Sequence, residues 1–255
     1  MSFWSYLAIA LAGTGAGLIN TVVGSGSLIT FPTLLFFGVN PLVANVSNNI
    51  GLVAGGVTGS WGYRHELTGR AATVRRLIPL SFVGSVIGAS LLLVLPASAF
   101  QAIVPVLILI ALVLVVLGPR IQQWAAPDEG ESVPAWHVPA MGAGVFVAGM
   151  YGGYFGAAQG VLLMGILSAL STEPLQRLNG YKNVLALVVN VVAAGVFVLF
   201  ARDEIDWVIV LLIAVGSFVG GIIGARVGRR IPPTALRALI VVIGVVAIVK
   251  LIWFS

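Results

Sequence analysis

The residues best suited to chemistry in this sequence stand inside long apolar stretches. Asn45-Val46-Ser47-Asn48-Asn49 places three amides one to two turns into a helix opened by Pro41, and Asn45 and Asn49 share a face. A matching run, Asn179-Gly180-Tyr181-Lys182-Asn183, follows Pro174, and Asn190 continues the stripe of 179 and 183. Each run is preceded by a polar, Gly-containing break: Gly24-Ser25-Gly26-Ser27, and Gly156-Ala157-Ala158-Gln159-Gly160. A helix that begins at such a break presents unpaired N–H groups and the positive end of its dipole. Gly lets a ligand approach the backbone, and Ser25 and Ser27 add hydroxyl donors, which suits an oxyanion. A Ser-capped helix start with Gly for close packing has the same residues and needs no ligand. The amides have two readings as well: neutral donors that hold an anion and release it, or interhelical hydrogen bonds worth about 0.6 kcal/mol each.

Lys182 is the sharpest of these signals. It lies about eight residues past Pro174, roughly 12 Å along a helix axis, in the body of an apolar segment. A charge near a bilayer centre costs about 2.5–3.5 kcal/mol, so an intramembrane Lys is a functional candidate, unless it snorkels to the interface. No Asp or Glu stands inside any apolar span to compensate it. An anionic substrate would do so, and Lys182→Ala is then expected to abolish transport while sparing the fold. The candidate substrate-binding set is Ser25, Gly26, Ser27, Asn45, Asn48, Asn49, Gln159, Gly160, Lys182 and Asn183.

Other chemistries are poorly supplied. The chain has no Cys and only His65 and His137, both near segment ends, so thiolate or His-rich metal sites and a buried triad are not expected. No phosphate-binding G-x-x-x-x-G-K-[ST] loop occurs, which removes ATP as a direct driver. Proton relays in pumps use intramembrane Asp, Glu or His, and none lies deep in a span here. Glu173, in the turn before Pro174, reads as an ordinary helix N-terminal acid. No enzyme activity, cofactor or metal is expected.

The elements that must position these residues follow from composition. Of 255 residues, 59% are hydrophobic and 8% charged, against about 25% charged in a soluble domain. That composition describes an all-α polytopic membrane protein, and the net charge of +5 needs no nucleic-acid partner. Crossing the hydrocarbon core takes roughly 20 apolar residues, which gives eight candidates: about 3–23, 42–62, 77–95, 98–118, 137–157, 177–201, 207–226 and 234–254. Residues 1–22 read as the first of these and not as a cleaved signal peptide. Two shorter runs, about 27–38 and 160–171, reach only about 18 Å and read as re-entrant half-helices.

Charge placement supports that count. Arg64, Arg70, Arg75 and Arg76 mark a cytoplasmic loop. Counting each short run as a partial return puts Arg120, Arg177, Arg226, Arg229 and Arg230 on the same side. Only Arg202 and Lys250 then lie outside, as do both termini. Without the returns, Arg64–Arg76 and Arg226–Arg230 fall on opposite sides. The first unit, residues 1–118, and the second, 137–255, become inverted copies joined by a cytoplasmic linker, 119–136. A loose echo agrees: Gly17 and Gly24 recur as Gly149 and Gly156, Pro41 as Pro174, Asn45 and Asn49 as Asn179 and Asn183. Inverted repeats with broken helices mark secondary transporters, whose site lies at the repeat interface near the midplane.

Gly24-Ser25-Gly26-Ser27, then Pro32, Leu34, Gly38, Pro41, Ala44 and the Asn-rich stretch to Gly51, resemble the TauE/SafE family of membrane proteins. The copy from Gly149 to Asn183 fits more loosely, and its break is poorer in Gly than the family's. The resemblance implies a carrier, an exporter in particular, of small anions such as sulfite, organosulfonates or related carboxylates. The driving force would be an ion or voltage gradient, with a proton or sodium ion as coupling ion. An anion-selective channel lined by the same breaks is the alternative, and a non-transporting assembly factor a third reading. A bacterial inner membrane is the expected location. Neither the coupling ion nor the oligomeric state is legible in the residues.

Overall fold

The structure is a computed structural model that describes residues 2–125, 134–227 and 233–253. The acidic run 128–131 of the expected linker, and Arg229 and Arg230, lie outside the described residues. Every regular element among the described residues is helical. Helix α1 runs Phe3–Val22, the short α2 Ser27–Phe36, then α3 Pro41–Gly62, α4 Ala71–Val94 and α5 Ala97–Ala125. The second series is α6 His137–Tyr154, the short α7 Gln159–Ala169, α8 Leu175–Phe200, α9 Trp207–Val227 and α10 Pro233–Trp253. One-turn 3₁₀ segments follow α3 at Arg64–Leu67 and α8 at Arg202–Glu204.

Among the described residues ten α-helices stand near the eight long and two short apolar runs that were expected, with the largest shifts at two boundaries. Helix α4 starts six residues before the expected 77 and takes in Arg75 and Arg76. Helix α5 continues through Pro119 to Ala125, into the stretch expected as linker. Apolar counting measures the part of a helix in hydrocarbon, and hydrogen bonding extends the helix beyond it. Five of the described helices, α1, α4, α5, α8 and α9, are long and apolar enough to cross a membrane. Asn45, Ser47, Asn48 and Asn49 dilute α3, and α6 is short and rich in Gly and Tyr.

Polarity is arranged inside out relative to a soluble globule. Large apolar side chains such as Leu11, Val94, Phe200 and Val215 are exposed, whereas Ser81, Ser85, Asn48, Ser217 and Lys182 are buried. An apolar exterior this continuous fits lipid and not water.

The helices pack in an exchangeable pattern. Helix α9 lies against α1 and α3, and α4 lies against α6 and α8. The two Asn-bearing helices α3 and α8 touch each other, and the short helices cross over, α2 to α10 and α7 to α5. Swapping α1–α5 for α6–α10 leaves every one of these pairings in place. Small residues set the close approaches, as membrane helices require. A Cβ on Gly17 would lie 2.7 Å from Ser217 Cα, and one on Gly153 would lie 2.9 Å from Ser85 Cα.

Candidate functional site

The two breaks meet. Helix α1 ends where Ile19 O accepts both Val23 N–H (2.7 Å) and Gly24 N–H (3.0 Å). Helix α6 ends the same way, Tyr151 O accepting Phe155 N–H (2.9 Å) and Gly156 N–H (3.2 Å). Gly24 and Gly156 then reverse the chain at φ 89° and 77°, in the left-handed region that Gly occupies without a Cβ clash. In the second break Ala158 also takes a left-handed φ, 58°, where an L-residue is strained. Across the break-to-break contact, Gly160 N–H donates to Gly24 O at 2.9 Å, and a Cβ on Gly24 would lie 2.5 Å from Gly160 Cα. Phe31 of α2 packs edge-on to Phe155 of the other break, centroids 5.3 Å apart.

Each Asn-bearing helix caps the broken helix of the other half. Lys182 Nζ, only 1% exposed, donates to Asn20 O and Thr21 O, both at 3.0 Å. Asn183 Nδ2 donates to the same Thr21 O at 3.3 Å. These carbonyls are the last of α1, where the helix dipole is negative and intrahelical partners run out. Asn45 Nδ2 does the equivalent at the end of α6, donating to Tyr154 O at 3.1 Å. Tyr151 Oη donates to Ala157 O at 2.7 Å within the second break. The Lys182 amine therefore does not stand alone, because helix-end carbonyls of the other half accept from it. Two of its three donors are taken.

The remaining candidates fall into two groups. Asn48 Oδ1 accepts from Thr30 Oγ1, tying α3 to α2. Asn49 Nδ2 reaches Asn190 Oδ1 at 3.5 Å, a long contact that joins α3 to α8, and Asn49 Oδ1 is buried without a partner. At the breaks, Ser25 Oγ and Gln159 Nε2 are buried without hydrogen-bond partners. Gly26 is the N-cap of α2, whose first turn receives no side-chain cap. In α2 the Leu28 and Ile29 N–H groups are taken by Ser25 O and Gly26 O, and in α7 Gln159 N–H is taken by Gly156 O, Gly160 N–H by Gly24 O and Val161 N–H by Ala158 O. Gly160 thus serves the close approach. Ser27 opens α2 and is half-buried.

Three features escaped the reading of the residues alone. Asn20, half-buried, lies beside the first break: a Cβ on Gly26 would sit 2.9 Å from Asn20 Cβ. Val83-Gly84-Ser85-Val86-Ile87-Gly88 recurs as Val215-Gly216-Ser217-Phe218-Val219-Gly220, at the spacing that separates Gly24 from Gly156. Both serines bond the Asn-bearing helices: Ser85 Oγ donates to Val189 O at 2.8 Å, and Ser217 Oγ donates to Gly51 O at 3.0 Å. Ser217 Oγ also accepts Gly55 N–H at 3.1 Å. Glu173, just before α8, also has partners that the residues alone did not suggest: it pairs with Arg177 and, at 3.0 Å, with Arg70, joining the turn before α8 to the turn before α4.

The geometry offers buried amide and hydroxyl donors beside one cation, at a crossing of two broken helices. The sulfite exporter TauE/SafE family profile matches residues 9–251. The chain is 26% identical over 248 residues to the probable membrane transporter protein YfcA of Escherichia coli (strain K12), covering 94% of this chain and 87% of that protein. It is 27% identical over 239 residues to the probable membrane transporter protein ORF9 of Sinorhizobium sp, covering 93% and 88%. A probable membrane transporter protein of Haemophilus influenzae is 22% identical over 244 residues, covering 94% and 92%. With almost its whole length matched by one family profile, the chain belongs to the sulfite exporter TauE/SafE family.

Proposed function

We propose that this multi-pass membrane protein is a secondary transporter, in the export direction, of a small anion such as sulfite, an organosulfonate or a related carboxylate. The observation that carries this reading is the meeting of the two breaks, with Ser25 Oγ and Gln159 Nε2 buried and unpartnered beside it. Unpartnered buried donors cost about 1–3 kcal/mol each, and a bound oxyanion would recover that cost. Gly26 and Ser27 at the uncapped start of α2 add backbone donors, and the remaining Lys182 N–H adds charge. Asn45, Asn48, Asn49 and Asn183 hold the surrounding helix ends, and Gly160 allows the approach. Helices α1–α5 and α6–α10 act as inverted repeats, an arrangement favoured by the exchangeable pairing pattern. Alternating access rocks one repeat against the other about the crossing, with both termini outside a bacterial inner membrane. A proton or sodium ion couples the movement.

The test is counterflow of labelled sulfite, sulfonates and short carboxylates in proteoliposomes. The expected result is saturable exchange, lowered about tenfold or more by Ser25→Ala and by Gln159→Leu, one lost hydrogen bond to a charged ligand being worth about 1.5–3 kcal/mol. Conductance without counterflow would assign the site to a channel. Exchange at wild-type rates in both variants would remove the breaks from the substrate path.

A further inference from the structure

A second site lies away from the crossing, where α3 and α9 end together. Val57, Phe218 and Ile222 wall an open groove of about 820 Å³, and Trp61, Arg64 and Arg226 close one end of it. The Arg64 guanidinium lies 4.4 Å over the Trp61 ring, and its Nη1 donates to Trp61 O at 2.8 Å. That pairing uses one of five guanidinium donors and leaves the others at the groove mouth. Arg226, also exposed, makes no hydrogen bond or ion pair with the described residues, and no Asp or Glu is among the described residues that line the groove. Arg64 and Arg226 put two guanidiniums on the same groove, whose wall carries the Thr58 and Ser60 hydroxyls beside its apolar residues. Val57, Trp61 and Phe218 are exposed along it. An indole and a guanidinium at a helix end are the pair expected at headgroup depth, with the apolar wall running on into the acyl region.

We infer that this groove binds one anionic phospholipid, its phosphate held between Arg64 and Arg226 and one acyl chain laid along Val57, Phe218 and Ile222. The charge selects the headgroup and the apolar wall distinguishes a lipid from free phosphate. The site is separate from the crossing of the breaks, so it stands whatever the transported anion proves to be. A lipid seated there joins α3 of one repeat to α9 of the other, and its loss is expected to loosen that pairing.

Native mass spectrometry and thermal unfolding of the whole protein in nanodiscs test it. One set of discs contains phosphatidylglycerol and the other phosphatidylcholine alone. The wild type is expected to retain phosphatidylglycerol and to unfold at a higher temperature in its presence. The Arg64→Gln/Arg226→Gln double variant is expected to retain it about tenfold less or weaker, while unfolding as the wild type does in phosphatidylcholine. The Arg64→Lys/Arg226→Lys variant keeps the charges and is expected to restore most of the retention. Equal retention by wild type and the Gln variant would overturn the proposal. So would stabilisation by inorganic phosphate equal to that by the lipid, or a Trp61-dependent dimer that forms without lipid and occupies this face.

Discussion

Lys182 shows how one side chain changes meaning with its surroundings. On the sequence it is a charge without a carboxylate, waiting for an anion. In the structure Asn20 O and Thr21 O accept from it, so it also closes the end of α1. Lys182→Ala should therefore lose stability as well as transport. It leaves carbonyls with fewer partners at membrane depth, a loss of about 1–3 kcal/mol, read as a lowered midpoint in thermal or denaturant unfolding. Wild-type stability with transport abolished would return Lys182 to a purely substrate-facing role. Ala158 offers a milder test at the same scale. Its left-handed φ of 58° costs about 1 kcal/mol in an L-residue, so Ala158→Gly should stabilise the fold slightly or leave it unchanged. Strong destabilisation would mean that the buried methyl outweighs the strain.

Among the elements, the short helices depend on one backbone contact. Because Gly24 and Gly160 touch through their backbones, any Cβ at Gly24 meets a carbon that cannot move without moving α7. Gly24→Ala should cost several kcal/mol, of the size that prevents accumulation of folded protein in the membrane. The control is Gly195→Ala in α8, where the added methyl meets nothing within 4 Å and should gain up to about 1 kcal/mol of helix propensity. Thermal unfolding and membrane yield of the pair report the difference. If Gly24→Ala is tolerated as well as Gly195→Ala, the crossing is not a fixed contact. The small-residue seams are of the same kind. In the packing register Gly17 on Ser217 corresponds to Gly153 on Ser85, one turn past the Gly149 that the echo of the break suggests. One extra turn separates the seam from the break in the first half, so the seam and the break recur in different registers.

At the scale of the molecule the open question is handedness in the membrane. Exchange of the two halves preserves the helix pairings, and the bases concentrate in the turn after α3 and at the ends of α5 and α9. The chain has no Cys, so single cysteines can be read without background. With the halves inverted, Asp203→Cys should react with a membrane-impermeant maleimide in intact cells, and Arg75→Cys only after permeabilisation. Reaction of both in intact cells would sink the inverted arrangement, and the opposite pattern would reverse its orientation in the membrane. The Arg70–Glu173–Arg177 cluster lies on the side expected to be cytoplasmic and links the two halves there. As a partly exposed ion pair it adds little stability, at most about 1 kcal/mol, so its weight is in holding that side together.

The sequence alone was sufficient for the class of molecule and for the approximate position of each helix. Apolar length and the scarcity of charge are additive properties of local composition, and Gly-containing breaks interrupt a helix wherever they occur. It also singled out the polar residues at depth, because each is costly by itself regardless of its partner. It could not say whether those residues face a ligand or a neighbouring backbone. Asn45, Lys182 and Asn183 turned out to cap the opposite half's helix ends, at separations of more than a hundred residues. Ser85 and Ser217 look like small packing residues until their acceptors on α8 and α3 are seen. The tertiary structure decided these assignments because a carbonyl left over at a broken helix has no sequence signature of its own. Only the packing of the other half determines which side chain satisfies it, and which buried polar atoms, those of Ser25 and Gln159 among them, are left without a partner.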